Sequence, residues 1–454
     1  MTDVSDHEHG PGVIERARPK IGIRLSLPIL ICLHVVVCCA SLVKVAQYQP
    51  YIPYDAGRLF EAAAVAAAFS LVAVLFIGAR FSFGYFVGFY LYTMMLGFLW
   101  LNSFSKLPYD HKLAGLSAAV ATVLFLLPAL LINTPIRQVF ALSTAGFERL
   151  LAAILVVALA TIAVASTYSF RLTTLSHIYE FRDEIQFPTI IRYLVGIVPN
   201  ALLPFAVAAY VALKQRWRAG FALMLMLVFY PITLTKLALF TPAWIVGLLA
   251  LSWLVEARAA IILSLFGPMF LGLALVTGVG GRRAFAYFDL VNIRMMATPS
   301  GAMDIYNDFF ASHPLTHFCQ VSILKLFMNC PYQEPLSVVM NKAYPLGNLN
   351  ASLFATEGVA SVGLYLAPLS ALVCGFVIAL GNRTAAGLPP RFILISAAIL
   401  PQILLNVPLT TTLLSDGAAL LFLLWYITPR TVFAKRARSK QDIAAVAHLS
   451  GAGT

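Results

Sequence analysis

Charge is what this chain has least of. Asp, Glu, Lys and Arg make up 11% of its 454 residues, against about 25% in soluble domains, and that scarcity excludes an ordinary water-solvated surface. Acidic residues are the rarer kind, 19 against 31 Lys and Arg. No internal repeat of the solenoid type and no low-complexity tract is visible, and no HExxH pattern marks a zinc site. Residues 1–19 are polar but are followed by no short apolar core with a small-residue cleavage site, so they do not read as a signal peptide.

What the chain has instead is apolar length. Hydrophobic residues form 60% of it, and mean hydropathy is +0.86. Runs near the ~20 residues needed to cross a ~30 Å hydrocarbon core recur throughout. They fall near 25–46, 58–78, 83–104, 113–132, 150–168, 190–213, 219–235, 238–255, 259–279, 359–380, 392–408 and 410–427. The expected fold is therefore an all-α polytopic membrane protein of about 12 (11–12) transmembrane helices. A large periplasmic loop, 280–358, separates spans 9 and 10, between spans 1–9 (25–279) and spans 10–12 (359–427). The run 219–255 would make one helix of about 55 Å, so it reads as two spans turning near Lys236 with Pro231 and Pro242 on either side. No charged residue is clearly placed at mid-membrane, which counts against an ion-coupled carrier.

Orientation follows from the excess of Lys and Arg in cytoplasmic loops. The tail 1–24 carries Arg16, Arg18, Lys20 and Arg24, and the basic tail 428–454 carries Arg430, Lys435, Arg436, Arg438 and Lys440. Both termini are then cytoplasmic. Eighteen basic residues fall inside and eight outside, apart from five in the long loop. The net charge of +12 reads as topology signals and attraction to anionic lipid, with no continuous groove for nucleic acid. Cys32, Cys38, Cys39 and Cys374 lie in apolar runs as small hydrophobes. Cys319 and Cys330 lie in the exported loop, either as two thiols or as a disulfide in an oxidising compartment.

The loop 280–358 is the expected site of chemistry. Long loops are functional or disordered, and Phe285, Tyr287, Phe288, Tyr306, Phe309, Phe310, Phe318 and Tyr332 argue against disorder. The stretch Asn292-Ile293-Arg294-Met295-Met296-Ala297-Thr298-Pro299-Ser300-Gly301, followed by Tyr306-Asn307-Asp308-Phe309-Phe310-Ala311-Ser312-His313-Pro314, is similar to a segment of bacterial oligosaccharide repeat-unit polymerases, the group of the O-antigen and capsule polymerases. Thr233-Leu234-Thr235-Lys236 resembles a Thr-x-Ser-Arg-like position of the same group, with Lys in place of the more usual Arg. Asn348-Leu349-Asn350 with Glu357-Gly358 through Gly363 resembles the segment that re-enters the membrane. The resemblance covers 233–375; the first half of the chain matches only in being hydrophobic.

What the resemblance implies is metal-independent, cofactor-free glycosyl transfer at the outer face of the bacterial inner membrane. The donor would be a glycan on undecaprenyl diphosphate and the acceptor another lipid-linked repeat, with a flippase and a chain-length regulator as partners. The departing diphosphate calls for cations, and Arg294, Lys236, Arg282 and Arg283 are the candidates. Arg282 and Arg283 equally suit anchoring of a span end, whereas Arg294 sits in apolar company away from any span end. A base for the acceptor hydroxyl is sought among Glu357, Asp308 and His313, with Glu357 alternatively pairing with Arg294 or Lys236. Tyr306, Asn348, Asn350 and His317 are expected to touch glycan. The four-residue spacing of His313 and His317, with Pro314 suited to a first helical turn, would put both rings on one helical face, but a third metal ligand is missing. Ser322-Ile323-Leu324-Lys325 matches SxxK by chance, lacking SDN and KTG companions. A multi-span transporter or flippase of lipid-linked sugar is the alternative, and a non-catalytic envelope assembly protein a third.

Overall fold

The computed structural model describes residues 25–173, 181, 185–321, 324, 327–346, 349 and 351–433. These build helices and connecting turns, with no strand among them. Nine helices are long and apolar enough to cross a membrane among the described residues. They are α1 (Leu27–Val45), α2 (Ala56–Gly78), α3 (Phe83–Asn102), α4 (His111–Leu131), α5 (Thr144–Ser166), α6 (Thr189–Ala212), then, after the 13-residue α7 (Arg216–Val228), α8 (Lys236–Leu254) and α9 (Ala257–Val279). The segment that follows holds α10 (Gly281–Phe288), α11 (Thr298–Ser312) and α12 (Leu336–Ala343). The ninth long helix is α13 (Phe354–Ala385). The chain ends in short pieces: α14 (Pro390–Ser396), α15 (Leu400–Leu404), α16 (Leu409–Leu414) and α17 (Ala418–Ile427).

The twelve-span expectation therefore changes in three places. The runs at 219–235, 392–408 and 410–427 are apolar but broken into helices of 13 residues or fewer. A helix of 13 residues is about 20 Å long, too short to cross alone. The turn expected near Lys236 is present. Leu234 adopts a left-handed conformation (φ 48°), and the Thr235 hydroxyl accepts the Ala238 N–H at 3.3 Å to start α8 on Lys236. Ser82, Asp110 and Ser143 begin α3, α4 and α5 in the same way, each taking up an N–H that the first turn leaves without a partner.

The α3 helix is the hub, with every residue from Phe83 to Asn102 buried. In hydrocarbon the apolar effect gives little drive between helices, so close packing over small residues takes its place. A Cβ added at Gly84 would lie 2.0 Å from the Ala129 carbonyl oxygen, and one at Gly375 would lie 2.4 Å from that of Phe125. Those contacts lock α3 and α13 against α4.

Polar contacts tie the two ends of the bundle separately. At one end Arg258 donates to the Ala79 carbonyl (3.0 Å), Arg383 to Thr134 (3.2 Å), Arg391 to Ser252 (2.7 Å) and Arg430 to Thr384 (2.7 Å). At the other end lie the turns after α1, α3 and α7, Thr173, and the described residues of 280–351. There Tyr230 donates its hydroxyl to the Thr173 carbonyl at 2.7 Å, and Tyr48 packs against Phe285 with centroids 4.9 Å apart and ring planes tilted by 52°.

Candidate functional site

The segment expected to be an exported loop folds back into the bundle. Positive φ at Gly280 (65°) and Gly281 (80°), conformations that glycine adopts without steric cost, reverse the chain after α9. Helix α10, a nine-residue π-helical stretch (Asp289–Ala297) and α11 then run on without interruption. The π stretch, a feature that bends helices, packs against α1 and α9. Asn292 Nδ2 donates to Ser41 Oγ at 2.8 Å, one turn before α1 ends, and to the Met269 carbonyl at 2.9 Å, midway along α9. Ser300 Oγ donates to the Met94 carbonyl at 2.9 Å, inside α3. The segment is thus a re-entrant helix wedged among α1, α3 and α9.

Its polar residues divide by direction. Arg294 leaves the wedge: its side chain is 45% exposed while Val291, Asn292, Ile293, Met296 and Ala297 are buried, and its Nε lies 3.8 Å from Asp289 Oδ2. Arg282 and Arg283 are exposed in the first turn of α10 beside an open recess of about 460 Å³ that Leu275 and Val279 also line. Asp304 turns inward, where Ser105 Oγ (2.9 Å) and the Tyr109 hydroxyl both donate to its carboxyl. One turn on, Asp308 accepts from the Tyr344 hydroxyl. Burial pushes the Tyr344 phenol up, and the Asp308 carboxylate pushes it further.

Hydrogen inventory around Asp304 is tight. Asn102 Nδ2 donates to the His111 carbonyl at 2.9 Å, which fixes the amide and turns its Oδ1 towards Tyr109 (2.9 Å) and His111 Nδ1 (3.0 Å). The single Tyr109 proton therefore faces two acceptors, Asn102 Oδ1 and Asp304 Oδ1. Burial raises the Asp304 carboxyl above the ordinary carboxylate range, Asp308 adds to the rise, and the bonds from Tyr109 and Ser105 and the nearness of His111 act against it.

His313 stacks on Phe309, with centroids 3.9 Å apart and planes 8° from parallel, and its Nδ1 lies 2.8 Å from the Phe309 carbonyl. Because a carbonyl can only accept, Nδ1 carries the hydrogen, and in the neutral ring Nε2 is the free base. The expected helical pairing of His313 with His317 is not formed. Helix α11 ends at Ser312, His313 is extended (φ −112°, ψ 155°), and His317 is left-handed (φ 46°), held by its N–H to the Ser361 carbonyl at 3.1 Å. No group of three or more His, Cys, Asp or Glu positioned for a metal ion occurs among the described residues. Cys319 and Cys330 form a disulfide with Cα atoms 5.3 Å apart.

Glu357 does not pair with Arg294 or Lys236. It is buried in a π-helical turn (Phe354–Val359) that opens α13, one turn earlier than the re-entry expected from the sequence. Its Oε1 accepts the Thr410 N–H and hydroxyl, both at 3.1 Å, and its Oε2 accepts the Thr356 hydroxyl at 2.6 Å. Those bonds engage both of its oxygens and join it to the first turn of α16, so its role in this structure is to tie α13 to the broken C-terminal helices. Tyr306, expected to touch glycan, is 1% exposed and packs at 6.0 Å from Phe310, inside the cap that α10, the π stretch, α11 and α12 form at this end of the bundle. Lys236 begins α8 at the same end of the bundle as the cap. Asn348, Asn350, Ser322 and Lys325 lie outside the described residues.

One expectation about charge is overturned as well. Asp416 stands in the break between α16 and α17, and its Oδ1 accepts from Asn200 Nδ2 at 2.9 Å. Asn200 is part of a π-helical turn (Val198–Leu202) in the middle of α6. A carboxylate therefore does lie within the bundle, and the signal for it was an Asp-Gly step inside the apolar run 410–427. Asn102, Ser105, Tyr109 and His111 were missed because their partner is some two hundred positions away in sequence. Comparison with known protein families, with curated proteins and with solved structures finds no match.

Proposed function

We propose that this protein polymerises lipid-linked oligosaccharide repeat units by glycosyl transfer at the end of the bundle that carries the cap. In this reading the protein is a metal-independent glycosyltransferase of the bacterial inner membrane, with the cap towards the periplasm and both termini in the cytoplasm. Arg294 carries the proposal. It lies in the stretch that resembles the repeat-unit polymerases, and it is a half-exposed guanidinium on a re-entrant helix whose other residues are largely buried. A guanidinium there meets the charge that develops on a departing undecaprenyl diphosphate, and its fork matches phosphate oxygens. Arg282 and Arg283, beside their recess, supply further positive charge for the lipid-bound phosphates, and Lys236 adds a point charge. His313 Nε2 and Asp308 are the groups available to take the acceptor proton.

The test is the glycan profile of cells lacking the protein. A single lipid-linked repeat should accumulate and the polymer ladder should vanish, while an unchanged ladder refutes the reading. The second reading, transport of a lipid-linked sugar, is favoured by the broken helices around Asp416. It predicts loss of single repeats at the outer face rather than their accumulation there.

A further inference from the structure

We propose that Asp416 and Asn200 form a cation-binding site at the bilayer midplane, taking a proton or a sodium-sized monovalent ion. Depth comes from two independent helices. Asp416 directly precedes Gly417 and the 10 residues of α17, a rise of about 15 Å from the basic end and so half of a ~30 Å core. Asn200 lies midway along the 24 residues of α6. The 2.9 Å bond between them joins two positions at the same level.

Both helices are interrupted where they meet. A π turn in a helix exposes main-chain groups and recurs at functional sites, and α6 has one at Val198–Leu202. Helix α16 stops after Leu414: the Thr411 carbonyl takes the Ser415 and Asp416 N–H groups, and the Thr412, Leu413 and Leu414 carbonyls accept no main-chain N–H among the described residues. The two segments are in close contact: a Cβ at Gly196 would come within 2.4 Å of the Ser415 carbonyl oxygen, and Gly417 (φ 82°) faces Ala201 and Ile197. Half-helices broken at the midplane with a carboxylate and free carbonyls are the arrangement in which membrane proteins hold small cations.

The chemistry of the donors fits. Asn200 donates to Oδ1, the only side-chain bond of Asp416 among the described residues, and this leaves Oδ2, the Asn200 carbonyl oxygen and main-chain carbonyls. All are hard oxygen donors. A carboxylate at this depth is costly unless it binds something or pairs, and among the described residues the packed elements bring it no cation at its own level; Glu148 and Arg149 lie in the first turns of α5, towards the basic end. Helix α6 carries Arg192 and Tyr193 about two turns away. Glu357 is bound to Thr410 at the far end of α16, Cys374 lies on α13, and Tyr426 lies near the opposite end of α17. The site stands whether or not the protein is a polymerase.

The experiment uses the full-length protein in lipid vesicles and a hydrophobic carbodiimide, which modifies protonated carboxyls in membranes. Modification is read by mass spectrometry on the peptide containing Asp416, with Asp416→Asn as the blank. Labelling should fall about tenfold per pH unit above a midpoint. Asn200→Ala should move that midpoint up, because the amide hydrogen bond favours the anion. Protection at fixed pH by sodium chloride, and not by choline chloride, assigns a metal cation; no protection, with the pH dependence intact, assigns the proton. Absence of labelling at every pH, or labelling indifferent to both pH and sodium, overturns the proposal.

Discussion

Gly97→Ala should unseat the re-entrant helix. A Cβ at this position would lie 2.3 Å from Ser300 Oγ and 3.0 Å from Ser300 Cβ. Ser300 is fully buried and its hydroxyl is held by the Met94 carbonyl at 2.9 Å, so it cannot swing away. Overpacking of this kind costs about 1–3 kcal/mol. Replacing a helical glycine by alanine also returns up to about 1 kcal/mol of helix propensity, so the control is Gly220→Ala in α7, where a Cβ meets nothing within 4 Å. The difference between the two substitutions isolates the clash and should be about 1–3 kcal/mol. Adding Ser300→Gly removes both clashing atoms. Gly97→Ala should then cost nothing further beyond Ser300→Gly alone, a coupling of the kind a double-mutant cycle measures. The assay is unfolding of the purified protein in mixed detergent micelles, followed by tryptophan fluorescence. Equal stabilities for Gly97→Ala and Gly220→Ala would refute the wedge.

Three further outcomes follow from the cap. Because burial raises the Asp304 carboxyl, the folded state holds its proton more tightly than the unfolded chain. Its stabilising contribution is complete below the ordinary carboxylate value of about 3.9 and is lost as pH rises through the folded value; Asp304→Asn should flatten that part of the profile of melting temperature against pH. Tyr109→Phe removes the hydroxyl between Asp304 and Asn102 and should cost about 1–3 kcal/mol, since it leaves buried groups without partners, with an unchanged melting temperature speaking against the network. Cys330→Ser opens the 11-residue separation closed by the disulfide and should lower stability by roughly 3 kcal/mol on the loop-entropy account; limited proteolysis should then cut first between 319 and 335, and cutting first in the helical bundle would contradict this.

The membrane class was legible from composition alone, because only apolar runs near twenty residues cross a bilayer unaided. Nine of the expected runs form such helices, and the turn before Lys236 falls where proline and length require it. What periodicity missed was breakage. The runs at 392–408 and 410–427 look continuous in hydropathy, yet the first breaks at 397–399, just before Pro401, and the second at Ser415, Asp416 and Gly417. The re-entry of 281–312 was hidden for the opposite reason. Its charged and polar residues read as solvent exposure, whereas Asn292 Nδ2, Ser300 and Asp304 find partners on α1, α3, α9 and the turn after α3. Pairings across two hundred residues leave no local pattern. Arg294 is singled out by the sequence because a guanidinium in an apolar stretch stands out without any knowledge of the fold; the structure adds that it is half-exposed.

The central claim, that the cap with Arg294 transfers glycan from a lipid diphosphate, is tested most directly with purified protein in vesicles supplied with a lipid-linked repeat unit. The account predicts polymer from the native protein, none from Arg294→Ala, and reduced polymer from Arg294→Lys, since an ammonium loses the two-pronged contact with phosphate. No polymer from folded native protein, or full yield from both variants, would contradict it.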